Sequence, residues 1–409
     1  MPIASCSPLP KSKAPPLLRQ LIAVLFFRLL LNTGRRFVYP FAPVFSRSLE
    51  VPLAAITSIL ATCQIASLLG IFSGPLADRF GYRTMMRAGL GLLAGGMLLS
   101  GLAQGYWWLF LGLVVASLGK VVFDPAIQAY IGTHIPFERR GRVIGVLETA
   151  WAGSTLLGIP ALGLIIEHFG LHSAFWIFAL LGGISWLTIG RFIPEDAPVI
   201  AAGHNRLSLF AALPQLIGNR PCLGMLLFGF WISIANDSLF VVYGVWFEQA
   251  FFTGIAALGF STVAIGAAEL LGESMTAVFA DRLGLKRAMI LGLCLAILAY
   301  LALPFIGRSL PWAMVGLFFI FLSFEFTIVC SFSMSTELLP KNRATMMAGF
   351  YATAGLGRMV GVLLGGGLWQ HGGIIGVAFS AAGLTALALL SLLWGLHGWQ
   401  HQTTEEKPS

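Results

Sequence analysis

The chain has 409 residues, of which 57% are hydrophobic and 10% charged, and it carries a net charge of +8. A soluble domain carries roughly 25% charged residues, so this composition excludes a soluble fold, and with it a reading of the positive charge as a nucleic-acid surface. The apolar residues come in blocks of about 20, the length that crosses a bilayer as a helix, and not in the alternating ten-residue segments of a membrane barrel.

Taken in chain order, residues 1–20 hold prolines with Lys11, Lys13 and Arg19 and read as a cytoplasmic tail without a cleavable signal. Apolar blocks predict helices at 21–45, 53–75, 85–104, 106–131, 143–167 and 173–193. The polar stretch 194–220 reads as a cytoplasmic linker, with one short interfacial helix at Leu207–Ile217. Further helices are predicted at 223–248, 257–280, 288–306, 311–334, 344–369 and 374–398, before a tail at 399–409. The expected domains are therefore an N-terminal six-helix bundle, 21–193, and a C-terminal one, 221–398. Cys6, Cys63, Cys222, Cys294 and Cys330 form no paired motif, and no His/Cys cluster has metal-ligand spacing, so neither metal nor cofactor is expected.

Positive charge marks cytoplasmic loops. With the N-terminus inside, the loop clusters Arg79/Arg83/Arg87, Arg139/Arg140/Arg142, Arg191/Arg206/Arg220, Arg282/Lys286/Arg287 and Lys341/Arg343 all fall inside, leaving Arg47 and Arg308 outside. Both termini are then cytoplasmic and the number of spans is even, which twelve satisfies. The two halves also repeat. Ala77-Asp78-Arg79-Phe80-Gly81-Tyr82-Arg83 returns 203 residues later as Ala280-Asp281-Arg282-Leu283-Gly284-Leu285-Lys286. Pro136, Arg139 and Gly145 return 204 residues later as Pro340, Arg343 and Gly349. Two loops at matched spacing indicate a duplicated six-helix unit.

The segment Gly74-Pro75-Leu76-Ala77-Asp78-Arg79-Phe80-Gly81-Tyr82-Arg83 resembles the loop between helices 2 and 3 of the major facilitator superfamily, G-x-L-A-D-R-x-G-x-R. The resemblance, with the half-repeat, covers about residues 20–398. It implies an all-α membrane protein of twelve transmembrane helices in two pseudo-symmetric six-helix bundles. It also implies that Gly74, Asp78, Arg79, Gly81 and Arg83, and the second copy Asp281, Arg282 and Gly284, belong to a gate, with Asp78 in an inter-helix charge relay on the cytoplasmic side. Gly153, Gly158, Pro160 and Gly163 on helix 5 resemble the superfamily's antiporter motif, G-x-x-x-G-P-x-x-G, with Ile159 inserted between Gly158 and Pro160. Helix 4 departs from proton-coupled members, because Lys120 stands nearest to where they carry an arginine.

Ionisable groups at membrane depth are costly, roughly 2.5–3.5 kcal/mol each on insertion scales, and mark function by default. The predicted spans hold Arg28, Arg35, Arg36, Lys120 and Arg358 against Asp124, Glu148, Asp237, Glu269, Glu273 and Glu325. Arg28, Asn32, Arg35 and Arg36 share one helix face. Lys120 and Asp124 are spaced to pair, and Glu269 and Glu273 repeat that spacing with like charges. Glu325 sits among Phe321, Phe324 and Phe326 and is the candidate proton carrier. The candidate substrate and proton-coupling residues are thus Arg28, Asn32, Arg35, Lys120, Asp124, Asp237, Glu325 and Arg358. Glu325 is expected to join Lys120 and Asp124 in one central site, because the repeat offset places it at the image of position 121.

No nucleophile constellation appears, and Gly119-Lys120 lacks the remainder of a phosphate-binding loop, so no enzymatic activity is expected. The sequence points to a secondary active transporter of the cell inner membrane. It is expected to work as a monomer on a small molecule, by alternating access, with protons as the partner ion. Efflux of amphipathic compounds is the leading mode, from the helix-5 motif. The arginine face leaves uptake of an anionic or polar metabolite as the alternative, and a non-transporting receptor on the same fold is a third reading.

Overall fold

The computed structural model describes residues 17–69, 73, 76–77, 79–135, 137–195, 216–339 and 343–399. Among them every regular element is helical. In chain order the N-terminal elements are α1 (Leu17–Arg36), α2 (Ala42–Ser48), α3 (Leu53–Ala66), α4 (Tyr82–Gly101), α5 (Tyr106–His134), α6 (Phe137–Gly153), α7 (Ile159–Phe169) and α8 (Leu171–Phe192). The C-terminal elements are α9 (Arg220–Phe240), α10 (Tyr243–Phe251), α11 (Ile255–Leu283), α12 (Leu285–Ile306), α13 (Leu310–Leu338) and α14 (Arg343–Gly395). Helices are what a bilayer demands, since each backbone N–H and C=O must find its partner within the chain.

Eight stretches among the described residues are long and apolar enough to cross a membrane. The last, Met346–Gly395, runs to 50 residues and turns back at Gly373, where φ is 54° and ψ −150°; it therefore holds two passes. The other passes of the expected twelve correspond to α1 with α2, to α3, and to α4. The exterior is apolar: Trp107, Trp108, Phe169, Leu180, Phe252, Phe305 and Trp312 all project outward, as hydrocarbon solvent favours.

Three predicted helices prove to be broken, and each break sits where a side chain matters. The expected helix 21–45 is interrupted between Arg36 and Ala42, and the expected helix 223–248 between Phe240 and Tyr243. The two interruptions stand at matching places, 204 residues apart. Helix 5 carries a π turn at Ser154–Gly158, with the Ile159 N–H bonded back to the Ser154 carbonyl. Pro160 has no N–H to return to Leu156, and the turn ahead of it widens. The duplication also shows in the backbone. Gly81 (φ 85°) and Gly284 (φ 79°) both open the helix after the signature loop in a conformation closed to side chains. Gly170 (φ 80°) and Gly373 (φ 54°) do the same 203 residues apart.

The halves meet along two seams. On one, Gly163 and Gly259 approach so closely that a Cβ on either would lie 3.1 Å from the other's Cα, joining α7 to α11. On the other, α3 faces α14, with Thr57 near Gly366 and Leu68 near Gly355. At one end of the molecule Arg47 bonds Glu248, and Gly244 lies directly against the Pro40 carbonyl, with no room for a Cβ. The expected interfacial helix Leu207–Ile217 lies outside the described residues, apart from Leu216 and Ile217.

Candidate functional site

The charged groups of the predicted spans gather in three groups, one within the N-terminal half and two that span both halves. In the N-terminal half, Arg28 on α1 donates both Nη atoms to Glu148 on α6, at 2.9 and 3.2 Å. Its Nε lies 3.5 Å from Asp124, and Lys120 pairs with the same Asp124 one turn away on α5. Two cations and two carboxylates therefore neutralise one another. Glu148 was absent from the candidate set; facing Arg28 across a gap of 120 residues, it had no spacing to announce it.

The second cluster spans both halves. Arg36 ends α1, and its guanidinium forms a two-pronged ion pair with Glu269 on α11. Both side chains are almost fully buried. The pair is further held by Thr155, which donates to Glu269 at 2.9 Å, and by the Trp151 carbonyl and Ser154 hydroxyl, which accept from Arg36 at 3.2 and 3.3 Å. The guanidinium also lies 4.1 Å over the Trp151 ring. Trp151, Ser154 and Thr155 stand at i, i+3 and i+4, on one face of the helix where the π turn begins. Buried pairs of this kind need further hydrogen bonds to their remaining valences. Here both Nη atoms and both carboxylate oxygens are engaged, and Nε alone of the pair is left without a partner among the described residues.

Glu325 does not join Lys120 and Asp124. The expectation of one site is corrected by helix packing: α13 lies on α11, with Glu325 Cβ 2.9 Å from where a Cβ on Gly272 would be. Glu325 therefore sits between Glu269 and Glu273, in the electrostatic field of both and of Arg36 and Arg358. An offset counted along the chain does not record that α13 packs on α11 at this residue. No basic group lies within 4 Å of Glu325 or Glu273 among the described residues.

A third set links the halves by neutral bonds. Arg35 donates to Gln64 at 2.7 Å and Ser67 at 2.6 Å. Gln64 donates to the Tyr39 hydroxyl at 2.8 Å, and Tyr39 donates to Asp237 at 3.3 Å. Tyr39 also stacks on Phe240 at 4.5 Å. Tyr39 and Gln64 were not among the candidates, and the break after Arg36 is what turns Tyr39 inward. Arg358 on α14 lies in the field of Asp237 and Arg35. Asn32 is fully buried, and neither of its amide atoms has a hydrogen-bond partner.

The helix-5 motif is structural in its contacts. Gly153 faces Leu29 at 3.3 Å, Gly158 sits against the Thr33 side chain, and Gly163 meets Gly259. Of the signature loop, Gly74 and Asp78 lie outside the described residues, as does the side chain of Asp281. Arg79 stacks on Phe80 at 5.3 Å, and Arg83 stands 3.9 Å from Glu195.

Comparison with known proteins agrees with this architecture. A family model described as Major Facilitator Superfamily matches residues 24–268 and again 226–409. The chain belongs to the Major Facilitator Superfamily. Within the superfamily it is similar to the uncharacterized transporter YgaY of Escherichia coli O157:H7, at 25% identity over 373 residues, covering 90% of this chain and 92% of YgaY. It is also similar to the multidrug resistance protein MdtG of Salmonella arizonae, at 28% identity over 306 residues, 70% of this chain and 73% of MdtG. The fold is shared with a bacterial homolog of the human lysosomal transporter Spinster in an inward-facing, unoccupied conformation. That match has a TM-score of 0.73 at 16% identity, over 93% of this chain and 97% of that one. A POT family transporter in complex with a thioalcohol-conjugated peptide superposes with a TM-score of 0.76 at 15% identity, over 92% of this chain and 95% of the other. The chain is a multi-pass membrane transporter of this superfamily.

Proposed function

We propose that this transporter moves an amphipathic small molecule by alternating access between the two halves, driven by protons, with export as its working direction. The observation that carries the reading is the division of charge in the central space. The N-terminal cluster is internally neutral, whereas among the described residues Glu325 and Glu273 have no basic group within 4 Å and can take up and release protons as the halves move. Arg36–Glu269 is the contact such a proton would disturb, because the free acids lie in the field of that pair. The likeness to MdtG supports a multidrug-type substrate and the outward direction.

The conformation fits a state open toward the cytoplasm. Three of the contacts between halves (Arg47–Glu248, Gly244–Pro40 and Gly163–Gly259) lie toward the end marked by Arg47, which the distribution of positive charge places outside. Tyr351 is 55% exposed although it lies in the field of Glu148, Arg358 and Asp124, and Glu148 is also partly open. On this reading the protein sits in the cell inner membrane as a monomer with both termini cytoplasmic, and the signature loop of Asp78 closes the inside when the outside opens.

The test uses inside-out vesicles energised by an acid-inside pH gradient, with 2-naphthoate and its neutral amide 2-naphthamide as probes. Protein-dependent probe accumulation that collapses when the gradient is dissipated is expected. Accumulation indifferent to the gradient contradicts proton drive, and accumulation only in right-side-out vesicles contradicts export.

A further inference from the structure

Of the five basic side chains within the spans, three are matched. Arg28 and Lys120 face Asp124 and Glu148, and Arg36 faces Glu269. Arg35 and Arg358 are not: among the described residues neither has a carboxylate within 4 Å. Among the described residues, the hydrogen bonds of Arg35 go to two neutral acceptors and use one of its nitrogens, Nη2. A guanidinium has five N–H donors, so Nη1 and Nε remain for something else.

The two arginines come from opposite halves, yet they converge. Arg35 reaches Asp237 through the chain Gln64–Tyr39–Asp237. Arg358 stands one turn from Gly361, where a Cβ would lie 3.2 Å from Asp237 Cβ, and each arginine lies in the other's field. Two permanent cations then share one carboxylate, itself occupied by the Tyr39 hydroxyl. Leaving a net positive charge unmatched at membrane depth is costly, and one further negative charge would balance it. The surroundings are aromatic. Tyr39 stacks on Phe240, and Phe240 meets Phe321 edge-on at 5.5 Å. The orphaned amide of Asn32, three residues before Arg35, adds unspent donor and acceptor capacity on the same side of α1.

We infer that Arg35 and Arg358 form a two-armed subsite for the anionic group of the transported molecule, and that the substrate class is an amphipathic organic anion with an aromatic body. Guanidinium planes suit a carboxylate, sulfonate or phosphate monoester because they donate two parallel bonds to two oxygens. Because the arms belong to different halves, the anion would bridge the surfaces that move apart. Asp237 sets the fit: it cancels one cation, so a monoanion is matched and a cation is repelled.

The inference rests on the transport reading, but its test reads binding alone. Purified full-length protein in detergent is titrated with 2-naphthoate, its neutral amide 2-naphthamide, and the cation 2-naphthylmethylammonium, following tryptophan fluorescence. The naphthoate should bind at least about tenfold more tightly than the amide, and the ammonium should bind weakest. Arg358→Gln and Arg35→Gln should each erase that preference, weakening naphthoate binding far more than amide binding, and Arg358→Lys should restore part of it. Should the amide or the ammonium match the naphthoate, or should Arg358→Gln keep the preference intact, the anion subsite is wrong. Protein that shows the charge preference but moves none of the probes across a vesicle membrane overturns the transport reading and leaves the subsite standing. Far-ultraviolet circular dichroism of each variant, expected to be unchanged, separates lost binding from lost fold.

Discussion

The two halves descend from one repeated unit, yet they handle charge in opposite ways. In the N-terminal half every cation at membrane depth except Arg35 meets a carboxylate, and Glu148 and Asp124 are both held by Arg28. In the C-terminal half Glu273 and Glu325 have no such partner among the described residues, and Glu269 is satisfied only by reaching across to Arg36. The breaks after Arg36 and after Phe240 are equivalent in the repeat, but the first delivers a cation to the interface and the second an aromatic ring. The difference teaches that one half neutralises its buried charges largely within itself and the other does not; in the proposed mechanism the first is the fixed frame and the second the titrating, moving counterpart.

That contrast can be broken first at the ion pair that joins the halves. Glu269→Ala leaves the Arg36 guanidinium buried and unmatched, a loss of roughly 3–5 kcal/mol for a buried pair. It should lower the thermal midpoint in detergent and abolish transport. The double variant Arg36→Met/Glu269→Leu should regain most of the midpoint and none of the transport. Recovery of transport in the double variant would show that the pair is only structural.

A smaller but sharper effect is expected at the closed end. A side chain on Gly244 must displace the Pro40 carbonyl, so Gly244→Val should favour the state in which α2 and α10 part. A disulfide engineered between positions 47 and 248 should then form more slowly than in the parent, as read by gel shift. An unchanged rate would mean that the two halves do not separate there. Within the signature loops, Asp78→Asn should impair transport while leaving insertion intact, and Asp281→Asn should cost less, because Ala277 stands where the first copy has Gly74. Equal loss in initial-rate assays would mean that the two loops share the gating load.

Much of this was legible in the residue order. Composition and positive-charge bias gave a multi-pass membrane protein, and the repeated Asp-Arg-x-Gly loop gave the duplication, which the matched torsions of Gly81 and Gly284 repeat in the backbone. The i, i+4 spacing of Lys120 and Asp124 foretold their contact, because both sit on one regular helix. Glu148, Tyr39 and Gln64 were not legible: their partners are tens to more than a hundred residues away, and nothing local records which helix faces which. Helix breaks near Tyr39 and Trp151 were missed for a related reason. A bilayer-length apolar run reads as continuous even where a proline or a buried ion pair has unwound one turn. The repeat offset sets Glu325 beside the image of Lys120, but it carries no record of the packing of α13 on α11 that puts Glu325 against Gly272.

The division between a fixed and a titrating half is tested most directly by exchanging single carboxylates and measuring drive. Glu325→Gln and Asp124→Asn proteins are reconstituted in liposomes, and probe accumulation against its gradient is compared with and without an imposed pH difference. The account predicts that Glu325→Gln loses gradient-driven accumulation but keeps probe exchange at equal pH, whereas Asp124→Asn, which unbalances Arg28 and Lys120, slows both and still responds to the gradient. A Glu325→Gln protein that accumulates probe as the parent does, driven by the pH difference, would contradict it.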